Sequence, residues 1–96
     1  MGVMSELELR HLRTVCAIAE AGSVTKAAAR LGMTQPALSA QLRSMERVMG
    51  GKLFVRGSGG STPTELGTYV VGTAGEVLDE LSDLVDRARR QARAAA

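Results

Sequence analysis

Gly22, Ser23 and Gly32 punctuate the chain between positions 22 and 32, and this constrains the fold more than any other feature. A glycine just past a helix enters the left-handed region without a steric penalty, and a serine offers its hydroxyl to the next helix's free amides. One helix must therefore end at Gly22, a short one must fit between Ser23 and Gly32, and a sharp turn must follow.

Ser5-Glu6-Leu7-Glu8 fits a capping box opening the first helix, and Leu9, Leu12, Val15/Cys16 and Ala19 form its apolar stripe. The short helix presents Val24, Ala27, Ala28 and Leu31. Thr34 caps a third helix with Gln35 and Pro36 in its first turn, where proline's missing N–H is harmless. Its apolar face is Leu38, Leu42, Met45 and Met49, and Gly50-Gly51 ends it.

Leu53-Phe54-Val55 and Ser61-Thr62-Pro63 read as two short strands joined by Gly57-Ser58-Gly59-Gly60, a small wing that Phe54 pins to the core. Thr64 caps a long last helix, with Glu65 at its positive end. Leu66, Val70, Thr73, Val77, Leu81, Leu84 and Ala88 form a stripe longer than a small body can bury, so a second chain is expected to cover it. Each of Gly67, Gly72 and Gly75 should weaken that helix by about 1 kcal/mol relative to alanine. The expected division is a body at 5–63, a linker and dimerisation helix at 64–93 and a frayed tail at 94–96, with fraying setting in from 91.

At 96 residues the chain suits one mainly α domain. Phe54 and Tyr69 are its only aromatic residues, so the core must be aliphatic. A single cysteine excludes an internal disulfide, and His11 as the only histidine argues against a zinc site. No run of 18 apolar residues or leader-like start is present, so the expected location is the cytoplasm, without a membrane partner.

The formal charge of +2 is unevenly placed. Arg10, Arg13, Lys26, Arg30, Arg43, Arg47, Lys52 and Arg56 outnumber Glu6, Glu8, Glu20 and Glu46 before position 61, and after it the acids are in excess. A basic body suits a polyanion, although an ordinary solvated surface would carry similar charges.

Ser23 to Met49 has the form of a helix–turn–helix. Its last helix turns Thr34, Gln35, Ser39, Ala40, Gln41 and Arg43 to solvent. Glutamine can pair bidentately with adenine, serine reads several bases, and arginine reads guanine or grips phosphate. Base reading is accordingly expected at Thr34, Gln35, Ser39 and Arg43, and backbone contact at Gln41. A purely structural helical hairpin would share the apolar pattern but more often carry Glu and Lys on its outer side.

No enzyme is indicated, and no catalytic residue, metal or cofactor is expected. Gly57-x-Gly59 lacks the third glycine of a dinucleotide fingerprint, and Gly50-Gly51-Lys52 is followed by Leu53 rather than Ser or Thr. Cys16 reads as a small buried hydrophobe. Redox sensing would require a low-pKa thiol beside a cation, for which Arg13 is the nearby candidate.

Leu9-Arg10-His11-Leu12-Arg13, Ala19-Glu20-Ala21-Gly22-Ser23, Ala27-Ala28 with Leu31, and Thr34-Gln35-Pro36-Ala37-Leu38-Ser39 resemble the amino-terminal domain of LysR-type transcriptional regulators. Leu53-Phe54 with Arg56, and Thr64-Glu65 with Gly67, extend the likeness over about residues 9–67 without a gap. The resemblance implies a winged helix–turn–helix with a three-helix core, a two-stranded wing and a long carboxy-terminal dimerising helix. It also implies a homodimer, with a tetramer left open, reading an interrupted palindrome in double-stranded DNA through helix 34–49. Pro36 joins Gln35 and Ser39 in the base-reading stretch, while Ser23, Thr25, Lys26 and Arg56 match backbone-holding positions.

Ala40 stands where the family often has Arg, Val24 where Phe is common, and Thr14 and Val15 where aromatics are usual. Ser58 to Thr62 carry no base, so binding should be weaker and less salt-sensitive than in a typical relative. Relatives resembling this chain normally continue into an effector domain. No small-molecule site is readable here, and both a fragment and a stand-alone regulator fit. Two alternatives stay open: a helical interaction module that pairs with a full-length relative, and the DNA-binding fold of molybdate-responsive regulators. Gln35-Pro36-Ala37-Leu38-Ser39 favours the LysR type over the latter.

Overall fold

Side-chain caps mark where three of the four helices among the described residues begin. In the computed structural model, which describes residues 7–95, helix α1 spans Leu9–Ala21, α2 Val24–Leu31, α3 Gln35–Met49 and α4 Glu65–Ala95. Strands β1 (Phe54–Gly57) and β2 (Gly60–Pro63) lie between α3 and α4. Ser23 Oγ accepts from Lys26 N at 3.1 Å, Thr34 Oγ1 from Ala37 N at 3.2 Å and Thr64 Oγ1 from Gly67 N at 2.9 Å. Each bond satisfies an amide that has no partner inside its own helix. Gly22, Gly32 and Gly50 close the first three helices in the left-handed conformation.

Helix α1 departs from expectation at its start and on its inner face. Its N-cap is Glu8, so Glu8 is not the third helical residue of a box opened at Ser5, which lies outside the described residues. His11 plays the reciprocal part, its Nδ1 accepting the Glu8 N–H at 2.8 Å. The buried face is His11, Thr14, Val15 and Ile18, while Leu12, Cys16 and Ala19 are half-buried and Leu9 is exposed. The cause is topological. Helix α1 packs against α2, α3 and α4, so no single stripe marks its inner side. Thr14 is accommodated there because its Oγ1 donates to Arg10 O at 3.0 Å and is hydrogen-bonded to the Gln41 side-chain amide.

Val15, Ile18, Leu38, Met45 and Leu53 are the largest fully buried side chains. Val24, Ala27 and Ala28 bring α2 against α1, and the two alanines keep the backbones close. Leu31, expected inside, is exposed, since it sits in the last turn beyond that contact.

The wing is an antiparallel pair in the register Phe54↔Pro63, Val55↔Thr62, Arg56↔Ser61 and Gly57↔Gly60. Both strands extend further toward the turn than expected, and Leu53 stays outside the ladder. Its N–H is taken by Glu46 Oε2 at 2.9 Å and its carbonyl by Thr64 N at 3.0 Å. Phe54 is buried and holds β1 to the core. Ser61 N donates to Gly22 O at 2.9 Å, and a side chain at Gly60 would collide with that same carbonyl.

Helix α4 starts inside the body, contributing Gly67, Val70 and Ala74 to buried positions. Gly67 lies directly against the Leu53 carbonyl, leaving no room for a Cβ. From 82 onward the helix is exposed, and it continues to Ala95 through the segment expected to fray. Its 31 residues correspond to about 46 Å at the usual rise, most of the molecule's 55 Å long dimension.

Candidate nucleic-acid interface

The turn that Gly32 permits exposes the beginning of α3. Thr34, Gln35 and Pro36 stand exposed at this end, and Ala40 and Arg43 continue the open face. Thr25 and Lys26 are exposed in the first turn of α2, where Ser23 is half-buried and acts as the cap. The amide-rich starts of α2 and α3 carry positive potential suited to phosphate.

Arg56 joins these two regions. It lines a cleft of about 420 Å³ with Ser39, Arg43, Lys52 and Phe54. It also lines a smaller one of about 120 Å³ with Ser23, Thr25 and Ser61. Glu46 borders the larger cleft, but one of its oxygens accepts the Leu53 N–H and the other lies 3.9 Å from Lys52 Nζ. The remaining charge around the cleft is cationic.

Two positions expected to face DNA are engaged within the protein. Ser39 is only 8% exposed, and its Oγ accepts from Arg56 Nη2 at 2.6 Å. Gln41, expected at the DNA backbone, is half-buried and turned to Thr14 of α1. Helical spacing placed both on the outer side, but the wing covers one and α1 the other. Lys52, which the sequence offers only as one of the basic residues of the body, also lines the cleft; its place next to Gly50-Gly51 at the foot of the wing is the signal that points there. Thr14, a polar residue on an apolar stripe, was the corresponding sign of a partner for Gln41.

The α4 stripe divides where the body ends. Val70 is 6% exposed and belongs to the chain's own core, so it is removed from the dimer set. Leu66 is half-buried against that core beside Gly51. Thr73 and Leu81 are half-buried, while Val77 and Ala88 are exposed. Leu84 is 63% exposed.

Cys16 lies against α4, its Sγ 3.9 Å from Val71 O. Burial, followed by the negative charges of Glu20 and Asp79, pushes its thiol pKa up, the reverse of what a redox sensor needs. Among the described residues, no group of three or more His, Cys, Asp or Glu side chains could hold a metal ion. No described helix is long and apolar enough to cross a membrane.

Residues 9–68 match the family model described as bacterial regulatory helix-turn-helix protein, lysR family. The chain is 53% identical over 91 residues to the small neutral protease regulatory protein of Streptomyces coelicolor, covering 95% of this chain and 26% of that protein. It is 41% identical over 80 residues to the HTH-type transcriptional regulator AbaB of Streptomyces antibioticus, covering 83% of this chain and 27% of that one. The chain thus spans about a quarter of the length of these curated relatives.

Among solved structures, the DNA-binding domain of BenM in complex with catB site 1 DNA superposes with a TM-score of 0.86 at 36% identity, covering 94% of this chain and 97% of that one. The CbnR DNA-binding domain in its DNA complex gives 0.83 at 32% identity, covering 90% and 99%.

Proposed function

The chain belongs to the lysR family of bacterial regulatory helix-turn-helix proteins, and from that premise we propose that it binds double-stranded DNA sequence-specifically as a dimeric transcriptional regulator. The start of α3 enters the major groove of each half of an interrupted palindrome. Gln35 and Arg43 read base edges there, with Thr34 and Pro36 packed against them. Ser23, Thr25, Lys26 and Arg56 hold the sugar–phosphate backbone on either side. Helix α4 pairs the two chains through Val77, Leu81, Leu84 and Ala88.

The observation that carries this reading is the continuity of one surface, with Arg56 lining clefts shared with both α2 and α3. Surfaces that bind DNA combine base-reading side chains with flanking phosphate contacts in this way.

A random-duplex selection at physiological salt tests it. An enriched interrupted palindrome supports specific dimeric binding, and recovery without enrichment overturns it. On the selected site, Gln35→Ala should cost about 1–3 kcal/mol and far less on random DNA.

The exposed Leu84 also favours a second reading, in which α4 pairs with a longer relative and modulates it. Alanine at Gln35, Arg43 and Arg56 together would leave that activity intact while abolishing direct DNA regulation.

A further inference from the structure

Arg56 is the only charged residue in the wing, since the stretch from Phe54 to Pro63 carries no other. Its guanidinium is nevertheless held by α3, where Nη2 donates to Ser39 Oγ at 2.6 Å. The residue itself is exposed, so this bond and the ladder position opposite Ser61 determine where its charge lies. The serine that receives it is nine-tenths buried and lies on the side of α3 that meets Arg56 of the wing. Arg56 lines both clefts, and loss of the bond would free its long side chain to sample rotamers over either one.

We propose that Ser39 is a positioning residue for Arg56 rather than a reader of bases: its hydroxyl fixes the wing's only cation against the DNA backbone, so that the wing and α3 engage DNA as one unit. This deepens the DNA-binding reading and rests on it. A serine that touched a base edge would contribute specificity independently of Arg56. A serine that holds Arg56 contributes nothing once Arg56 is gone. The two roles also differ in their response to salt. Base contacts release no counterions, whereas a correctly placed guanidinium on phosphate does.

The test is a double-mutant cycle of Ser39→Ala and Arg56→Ala in the full chain. Affinity is measured against a mixed-sequence duplex of about 30 base pairs, long enough for two half-sites, across a salt series. The duplex recovered by selection is measured in parallel. Alanine is a better helix former than serine, and circular dichroism melting verifies that each variant is folded.

Positioning predicts that Ser39→Ala weakens binding by about three- to tenfold in the wild-type background and less than about twofold beside Arg56→Ala. Ser39→Ala should also flatten the salt slope in the same direction as Arg56→Ala, which lowers it by about one per bound chain. Equal losses from Ser39→Ala in both backgrounds, with an unchanged salt slope, would overturn the proposal in favour of base reading. No loss from Ser39→Ala while Arg56→Ala weakens binding would overturn it as well. If the wild-type chain bound neither duplex, the DNA-binding reading itself would fail, an outcome distinct from additive losses in a chain that binds.

Discussion

Ser61 donates its backbone N–H to the carbonyl of Gly22 at 2.9 Å, fastening the wing to the turn between α1 and α2. The wing is thereby fixed by main chain to the element that starts α2, and by Ser39 to α3. A two-stranded hairpin alone has little stability in water. Here its placement comes from this bond, the buried Phe54 and the caps around Thr64.

Gly60 tests that attachment. It sits at φ 124°, and a Cβ there would overlap Gly22 O. Gly60→Ala should push the strand off the turn, lowering stability by about 1–3 kcal/mol. Its loss of DNA affinity should exceed that of Gly59→Ala, where nothing lies within 4 Å of the added carbon. Urea denaturation and duplex binding, measured on both variants, give the comparison.

Glycines of α4 should respond with opposite signs. Gly67→Ala drives a methyl into Leu53 O, and should destabilise by at least ~2 kcal/mol in urea denaturation. Gly72→Ala meets nothing within 4 Å, and should stabilise by about 0.5–1 kcal/mol through helix propensity. Equal effects from the two would contradict the close contact.

Cys16 should react slowly with iodoacetamide in the folded chain. Its raised pKa means less thiolate at a given pH, so the alkylation rate should keep rising above the ordinary thiol value of 9.0 instead of levelling there. Removing a neighbouring negative charge with Glu20→Gln should shift this profile to lower pH. The linkage has a definite sign: the folded state favours the neutral thiol, so its contribution is complete below the ordinary pKa and is lost as pH rises through the folded one.

Leu84 is exposed and lies outside the core formed by the described residues. Leu84→Glu should leave the circular-dichroism spectrum near-native yet convert a dimer to a monomer in light scattering. An unchanged mass would remove this part of α4 from the pairing surface.

What could be read in advance follows the range of the interactions involved. Caps at Ser23, Thr34 and Thr64 act over three residues, so their chemistry is written locally, and the glycine stops beside them are equally legible. The partners of Ser39 and Gln41 are not local: Arg56 and Thr14 lie 17 and 27 positions away. Helical spacing assigns both side chains to an outer face, and only packing reveals that another element covers it. The same limit applies to Val70 and Leu84, which share one apolar pattern. Periodicity records that both want cover without recording where the body stops supplying it. Leu53 shows a related effect, being apolar and β-prone but withdrawn from the ladder by Glu46 and Thr64.

The unbroken course of α4 has a mechanical consequence. Because Thr64 and Gly67 seat its first turn against Leu53, the helix leaves the body without a hinge and transmits torsion along its length. Whatever grips the segment around Leu84 therefore holds Gln35 at a set rotational phase as well as a set distance. One residue inserted between Ala74 and Leu84 would advance that phase by about 100° and leave every side chain of α3 chemically intact but aimed elsewhere.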